Sequence, residues 1–232
     1  DLPIVIGWPA SKISEPLRKM LNKTIFSLKS ENILEEEQVN IWKLQKLYGN
    51  MFRERDFYLH GCWTGINKYI DEMETLVSDF RFPDFSEERN RVLREEMEQS
   101  ESVSIHVRRG DYIGTVFDVL TLDYYKEALS YIKKRTSAPR YYFFSDDVSF
   151  IEENFSFLSN KKIINWNRGK NSWKDMQLMS CCRHNIIANS TFSQWGALLN
   201  RNQEKIVVYP GKEKKAVDME RVMLQGWHRI EV

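Results

Sequence analysis

The string HVRRGDY, residues 106–112, holds the side chains best suited to chemistry in this sequence. The string begins in the last two residues of a predicted strand and continues into the loop that follows. An arginine guanidinium binds pairs of oxygen atoms and stays charged, so Arg108 and Arg109 predict a site for a phosphate or a diphosphate. The alternative is a loop held by ion pairs, in which Asp111 or Asp146 binds Arg109.

Two neighbouring carboxylates, Asp146 and Asp147, follow a second predicted strand. Paired carboxylates can bind a divalent cation, act as a base or accept hydrogen bonds from the hydroxyl groups of a sugar. They also resemble the N-cap of a helix that begins at Val148. A metal site needs more oxygen ligands than the sequence shows around this pair, and the other interpretations stay open.

A third group of polar residues, Asn189-Ser190-Thr191, follows a predicted strand and opens a helix. Backbone N–H groups and hydroxyls at a helix N-terminus bind anions, while simple capping by Ser190 or Thr191 is the alternative; both can occur at one turn. Asp175, near the start of another helix, is either a cap or a ligand to the edge of a purine. The sequence contains neither a Walker loop nor a GxGxxG string.

These residues are positioned by strands and helices that alternate from residue 102 onward. The predicted strands are 103–107, 141–144, 162–164, 185–188 and 206–209. The predicted helices are 122–134, 148–155, 173–182 and 192–199, the third with a capping box of Ser172 and Asp175. This alternation predicts a parallel sheet with helices on both faces, in which ligands bind at the carboxyl ends of the strands.

Residues 1–100 show a weaker periodicity. The predicted elements are short strands at 4–6 and 57–61 and an amphipathic helix over 67–80. A further helix, from residue 86 to 98, is so strongly charged that we interpret it as a solvated linker. That interpretation places a domain boundary near residue 100.

Composition narrows the class of protein. The chain has 232 residues, a formal net charge of +1, 42% hydrophobic and 29% charged residues, which are ordinary values for a globular protein. Disorder is excluded, and a nucleic-acid binder would normally be more basic. Three cysteines predict no disulfide framework, and Cys181, Cys182 and His184 are too few ligands for zinc. We find no signal peptide and no apolar run near ~18 residues, so we expect a cytoplasmic protein.

Three strings together resemble the motifs of the α-1,2-fucosyltransferase family, glycosyltransferase family 11. They are HVRRGDY, SDD and DMQLMSCCRHNIIANSTFSQWGALLN, and their order and spacing match the family over residues 58–210. The resemblance implies an α/β, GT-B-like fold in which residues 1–100 form an acceptor-side half and residues 101–232 a Rossmann-like half that binds GDP-fucose. It also implies inversion at the fucose carbon, no metal and no cofactor, and a galactose-terminated glycan as acceptor.

The same resemblance implies roles for individual residues. Arg108 would bind the β-phosphate of the donor with support from Arg109, and Asp147 would lie near the donor. His106 and Asp175 would face the guanine. The pyrophosphate and ribose pocket would be lined by Ser190, Thr191, Phe192 and Ser193. Asp111 is our nomination for the base that deprotonates the acceptor, and a base from the N-terminal half is the alternative.

Two departures from the family bear on these expectations. Relatives usually open with a glycine-rich GGLGNQ segment, which this sequence lacks. Bacterial relatives commonly carry Trp where this chain has Gln194. The alternatives to an α-1,2-fucosyltransferase are therefore a donor-binding chain without activity, or a fucosyltransferase of another linkage. An adhesion protein that uses the Arg-Gly-Asp tripeptide at 109–111 is a third. The basic residues 133–135 suggest peripheral contact with the inner membrane face, or a solvated helix end.

Overall fold

The computed structural model describes the backbone of residues 33–35, 58–60, 73–215, 217–220 and 223–232. The first two segments are β1 (Ile33–Glu35) and β2 (Tyr58–His60), which pair in parallel. The predicted strand at 4–6 lies outside the described residues.

Contacts within the chain divide it into two compact units, Asp1–Trp63 and Thr64–Val232. The domain boundary that the sequence suggested near residue 100 falls inside the second unit. The assignment of an acceptor side to residues 1–100 and a donor side to residues 101–232 stays a prediction.

A parallel sheet of six strands forms the centre of the second unit. Its strands are β3 (Ser102–Val107), β4 (Arg140–Ser145), β5 (Lys161–Ile164), β6 (His184–Ile186), β7 (Val207–Pro210) and β10 (His228–Ile230). Their order across the sheet is β10-β7-β6-β3-β4-β5. The chain runs outward from β3 to β5, then returns to β6 and runs outward the other way. This is the Rossmann order, whose ligand crevice opens between the strands where the direction reverses, here β3 and β6.

Six α-helices, a short 3-10 helix (Gly169–Asn171) and a hairpin complete the described part of the unit. The helices are α1 (Met73–Asp79), α2 (Glu88–Glu98), α3 (Leu122–Lys133), α4 (Val148–Asn154), α5 (Trp173–Cys181) and α6 (Thr191–Leu198), and the hairpin strands are β8 (Lys212–Lys214) and β9 (Val217–Asp218). The predicted α/β class with a Rossmann-like parallel sheet is confirmed, and the GT-B-like pairing of two such halves stays a prediction. None of the helices described here is long and apolar enough to cross a membrane.

Apolar side chains cover both faces of the sheet, and all six residues of β3 are buried. Val103 and Ile105 pack in the cluster that includes α3. Tyr142 and Phe144 of β4 pack in a second cluster, with α2 and α5. Residues 141–144 of β4 form a continuous hydrophobic run, as expected of a parallel strand that is buried on both faces, whereas β3 alternates apolar residues with buried polar ones.

Helix α2 is part of this core, so its interpretation as a solvated linker was wrong. Asn90, Leu93 and Met97 are buried, and the two apolar side chains pack with Tyr142 and Phe144. The buried residues recur every three or four positions and form a narrow stripe in an otherwise charged sequence. The charges that suggested a linker lie on the other faces of the helix.

Two tyrosines of α3 tie together the ends of the central strands. The hydroxyl of Tyr124 donates to the carbonyl of Ile187, just after β6, at 2.6 Å. The hydroxyl of Tyr125 donates to the carbonyl of His106, in β3, at 3.2 Å. Both phenols are buried, so these bonds form in a low dielectric and hold the edge of the sheet where the two strands diverge.

Candidate functional site

The carboxylate of Asp146 holds the loop that follows β3. Its two oxygens accept hydrogen bonds from the backbone N–H groups of Arg109, at 3.0 Å, and Gly110, at 3.1 Å. A Cβ atom at Gly110 would lie 3.0 Å from one of these oxygens, so glycine permits this close approach. Asp146 also lies 3.5 Å from Nε of Arg108. One side chain thus fixes both the path of the loop and the arginine at its start.

Arg108 forms a two-pronged ion pair with Asp111. Nε and Nη2 of the guanidinium lie 2.8 and 2.9 Å from the two carboxylate oxygens. The hydrogen bond from Arg108 lowers the pKa of Asp111, so Asp111 is a weaker base than an ordinary aspartate. The Arg108 side chain is 36% exposed, and Nη1 faces no partner within the described residues. The loop is therefore held by ion pairs, but the predicted partners were wrong, because Asp111 binds Arg108 and Asp146 reaches only the backbone of Arg109. This arrangement leaves Arg108 a donor for a further anion.

Arg109 is held by the next carboxylate. Its Nε lies 3.1 Å from Oδ2 of Asp147, and its guanidinium lies over the ring of Phe150 at 3.9 Å. The other oxygen of Asp147 accepts from the N–H of Phe150 and caps α4. The capping interpretation of Asp147 is confirmed, and the same carboxylate also orients an arginine. Both arginines line a small cleft with Phe117, Leu120 and Tyr125.

The corner between β6 and α6 is built by two serines. Oγ of Ser190 accepts from the N–H of Phe192 and caps the helix, as predicted. Ser193 is buried; its hydroxyl donates to the carbonyl of Ser190 and accepts from the N–H of Ala188, both at 3.2 Å. Its hydroxyl therefore stabilises the turn from the buried side. Thr191 is exposed at the first position of the helix.

This corner contacts the arginine loop beyond the carboxyl ends of the neighbouring strands β3 and β6. The rings of His106 and Phe192 lie 5.7 Å apart, and the hydroxyl of Tyr112 donates to the carbonyl of Asn189 at 3.4 Å. Burial, followed by the charge of Arg108, lowers the pKa of His106 to about 4, so its ring is neutral near pH 7. Within the described residues, Nδ1 of this buried histidine has no hydrogen-bond partner.

Asp175 is bonded to a different loop, the one after β5. The predicted capping box is wrong, because the Ser172 side chain makes no capping bond. Instead Oδ1 of Asp175 accepts from Nδ2 of Asn167 at 2.8 Å. Burial raises the pKa of Asp175 to about 6, because Asn167 and the charge of Arg168 offset only part of the loss of hydration.

The sequence matches the family described as glycosyl transferase family 11 over residues 2–231. The chain belongs to glycosyl transferase family 11. It is 39% identical over 135 residues to the O-antigen biosynthesis glycosyltransferase WbnK of Escherichia coli, covering 56% of this chain and 45% of WbnK. It is 30% identical over 198 residues to an alpha-1,2-colitosyltransferase of the same species, covering 81% of this chain and 66% of that protein. The chain thus spans about half to two thirds of these relatives.

Another relative is the galactoside alpha-(1,2)-fucosyltransferase 2 of Bos taurus, which is 33% identical over 104 residues, covering 42% of this chain and 30% of that protein. Among solved structures, NodZ alpha-1,6-fucosyltransferase soaked with GDP-fucose matches with a TM-score of 0.42 and 19% identity, over 71% of this chain and 59% of NodZ.

In this family 11 chain, the structure brings most of the predicted site residues together. The arginine loop and the acidic pair form one cluster, which reaches the β6–α6 corner through His106 and Phe192. Asp146 and Asp147 were both candidate ligands in the sequence, but the family resemblance implied a place near the donor for Asp147 alone. Asn167 and Asn90 were not predicted, because only the tertiary structure connects them to Asp175.

The Arg-Gly-Asp tripeptide is exposed at Gly110 and Asp111. Its arginine is bound to Asp147 and its aspartate to Arg108, so both charges that an adhesion receptor would need are engaged within the chain. In the described part of the chain, no three His, Cys, Asp or Glu side chains group to hold a metal ion.

Proposed function

We propose that this chain carries the donor site of an inverting glycosyltransferase that moves L-fucose from GDP-fucose to the 2-hydroxyl of a terminal galactoside. The observation that carries the proposal is the pair of arginines, Arg108 and Arg109, fixed by Asp146 and Asp147 where the Rossmann-like sheet opens its crevice. Family membership supports it, as do the names of the fucosyltransferase relatives.

The arginine loop suits the departure of a nucleoside diphosphate. Breaking the bond from fucose to the β-phosphate builds negative charge on that phosphate. Nη1 of Arg108 is available to it, and the N-terminus of α6, at Thr191, adds the positive end of the helix dipole, although the N–H of Phe192 is already bonded to Ser190. Because these groups are held before the reaction, their reorganisation costs little. We propose that they do the work of a divalent cation, so that chelators leave the activity unchanged.

Two polar side chains, the half-buried Asp175 and the buried His106, suit a guanine. Its N1–H and 2-amino groups are adjacent donors, which a carboxylate such as Asp175 accepts, and adenine offers no matching pair. Nδ1 of His106 has no hydrogen-bond partner within the described residues, so it can bond to the base or its ribose. The ring is neutral near pH 7, so this contact does not require a charge to be buried. We propose that Ser190 and Ser193 shape this pocket through the backbone, and that Thr191 and Phe192 contact the donor.

The base that deprotonates the acceptor hydroxyl is a separate question. Asp111 remains our nominee by position, but its ion pair with Arg108 lowers its pKa and weakens it as a proton acceptor. A base from residues 1–100 is the alternative. Asp111→Asn would separate them: loss of turnover with GDP affinity retained supports Asp111 as base, and weaker GDP binding supports a role in holding Arg108.

The deciding experiment incubates the chain with GDP-fucose and a β-galactoside and identifies the product linkage by NMR. An α-1,2-linked fucoside, unaffected by EDTA and absent with Arg108→Ala, supports the proposal. GDP-fucose binding without transfer would support a donor-binding chain without activity. An α-1,6 product would support another linkage.

A second candidate is transfer of colitose, because the alpha-1,2-colitosyltransferase of E. coli aligns with 81% of this chain. Competition between nucleotide-linked colitose and GDP-fucose for one acceptor would rank the two sugars. We also propose a cytoplasmic site of action at the inner membrane face. The exposed residues Lys133 and Lys134 would provide the contact, which sedimentation with anionic vesicles would measure.

A further inference from the structure

A chain of buried amides leads from helix α2 to Asp175. Nδ2 of Asn90 donates to Oδ1 of Asn167 at 3.0 Å, and Nδ2 of Asn167 donates to Oδ1 of Asp175 at 2.8 Å. Asn90 is itself fixed by the indole of Trp166, whose Nε1 donates to its Oδ1 at 2.8 Å. Asn90 and Asn167 are 1% and 6% exposed, so water does not compete for these bonds.

The direction of these bonds determines what Asp175 can do. Asn167 uses an N–H to reach Oδ1, so it favours the ionised carboxylate and leaves Oδ2 as an acceptor. The side-chain amide of Asn167 is held in this orientation because its own carbonyl is occupied by Asn90. The whole chain of amides therefore presents one acceptor-only carboxylate at the start of α5.

Charged groups around this chain of amides are few. Arg168, in the same loop, lowers the pKa of Asp175 by its charge. From α2, Arg89 lies over the ring of Trp166 at 3.5 Å. Lys174, next to Asp175, is paired with Glu87. Burial raises the pKa of Asp175, and the hydrogen bond from Asn167 is the largest of the effects that lower it.

We infer that Asn167, oriented by Asn90, is a positioning residue that selects guanine by holding Asp175 as an acceptor-only carboxylate. The inference rests on the proposed function, since it presumes that Asp175 faces the base of a guanine nucleotide. It also gives Asn90 of α2, which lies 85 positions before Asp175 in the sequence, a part in determining the specificity of the site.

The test measures the Kd for GDP and for IDP, which lacks the 2-amino group, by calorimetry on the 232-residue chain. Asn167→Ala should weaken GDP binding about tenfold, the scale of a hydrogen bond to a charged group. It should weaken IDP binding less, so that the preference for GDP falls. The matched control is Asn165→Ala, an exposed asparagine of the same loop, which should leave both Kd values unchanged.

A pH series and a double-mutant cycle distinguish positioning from a general structural effect. Loss of the Asn167 bond should move the fall in GDP affinity at acidic pH to higher pH, because the ionised form of Asp175 loses its partner. In an Asp175→Ala background, Asn167→Ala should change GDP affinity less than twofold. Asn90→Ala should act in the same direction as Asn167→Ala, with a smaller loss.

Each result bears on one of two claims. If the unmodified chain binds no GDP, the proposed function fails and this inference fails with it. If the chain binds GDP and Asp175→Ala weakens binding, but Asn167→Ala matches Asn165→Ala, only the inference fails. Equal effects of Asn167→Ala with and without Asp175 would also overturn it, since the amide would then act by another route.

Discussion

The two ends of the candidate donor site handle charge in opposite ways. At the arginine end, each guanidinium lies beside a carboxylate: Arg108 with Asp111 and Asp146, and Arg109 with Asp147. At the other end, Asp175 is half-buried and its hydrogen-bond partner is the neutral amide of Asn167. The first end is rich in paired charge, while the second holds one half-buried carboxylate beside a neutral amide.

Because of this difference, the two ends of the site should respond differently to a change in pH. Pairing lowers the pKa of Asp111, so this carboxylate at the arginine end stays ionised well into the acid range. Burial raises the pKa of Asp175 to about 6, so the other end changes charge just below neutrality. Phosphate binding should therefore tolerate mild acid better than recognition of the base does.

The largest expected effect is at the arginine end. Arg108→Ala should lower kcat/KM for GDP-fucose about 10²–10³-fold, the scale of losing a donor that stabilises a developing oxyanion. Steady-state kinetics would measure the loss. Arg140→Ala, which changes an exposed arginine at the N-terminal end of β4, is the matched control and should retain activity. Unchanged turnover in Arg108→Ala would refute the proposed role.

Asp146→Ala should come next, with GDP binding weakened about tenfold or more. It removes the acceptor of two backbone N–H groups, at Arg109 and Gly110, and frees the loop that carries Arg108. Calorimetry would give the Kd and thermal unfolding would show that the protein is folded. Asp84→Ala, at a fully exposed carboxylate, is the control. Equal affinities in the two variants would mean that the loop keeps its shape without Asp146.

The pH dependence tests the contrast directly. The ratio of the affinities for GDP and UDP should be constant above about pH 6 and fall by up to about tenfold per unit below it, because base recognition uses ionised Asp175. The ratio cancels the titration of the diphosphate, which both ligands share. Asp175→Asn should remove the dependence. A ratio that is flat from pH 7 to pH 5 would place the guanine elsewhere.

The smallest effect is expected at Gly110. In Gly110→Ala the new Cβ would lie 3.0 Å from the Asp146 carboxylate, which must shift by a few tenths of an ångström while still bonded to two N–H groups. We expect a loss of about 1 kcal/mol in GDP binding, about fivefold in Kd. Gly114→Ala is not a suitable control, because that glycine has a positive φ. An affinity equal to that of the unmodified chain would show that the loop relaxes freely.

Much of the fold was readable from the sequence because its signals are local. Strand β4 is an apolar run, β3 carries apolar residues at alternate positions, and helices such as α3 carry regular apolar spacing, so their bounds were predicted within one or two residues. The short strand β10, with the sequence His-Arg-Ile, was missed because three residues carry no periodicity. It exists because β7 offers it a partner.

The sequence by itself determined which chemistry the chain can offer: two arginines, an acidic pair and a serine-capped helix, each placed after a strand. The partners of those groups were decided only by the tertiary structure. Asp146 binds a loop 36 residues away, and Asn90 reaches Asn167 across 77 residues. Hydrogen bonds of this kind depend on which strands become neighbours, and the order of strands in a sheet follows from the packing of the whole chain rather than from any local pattern.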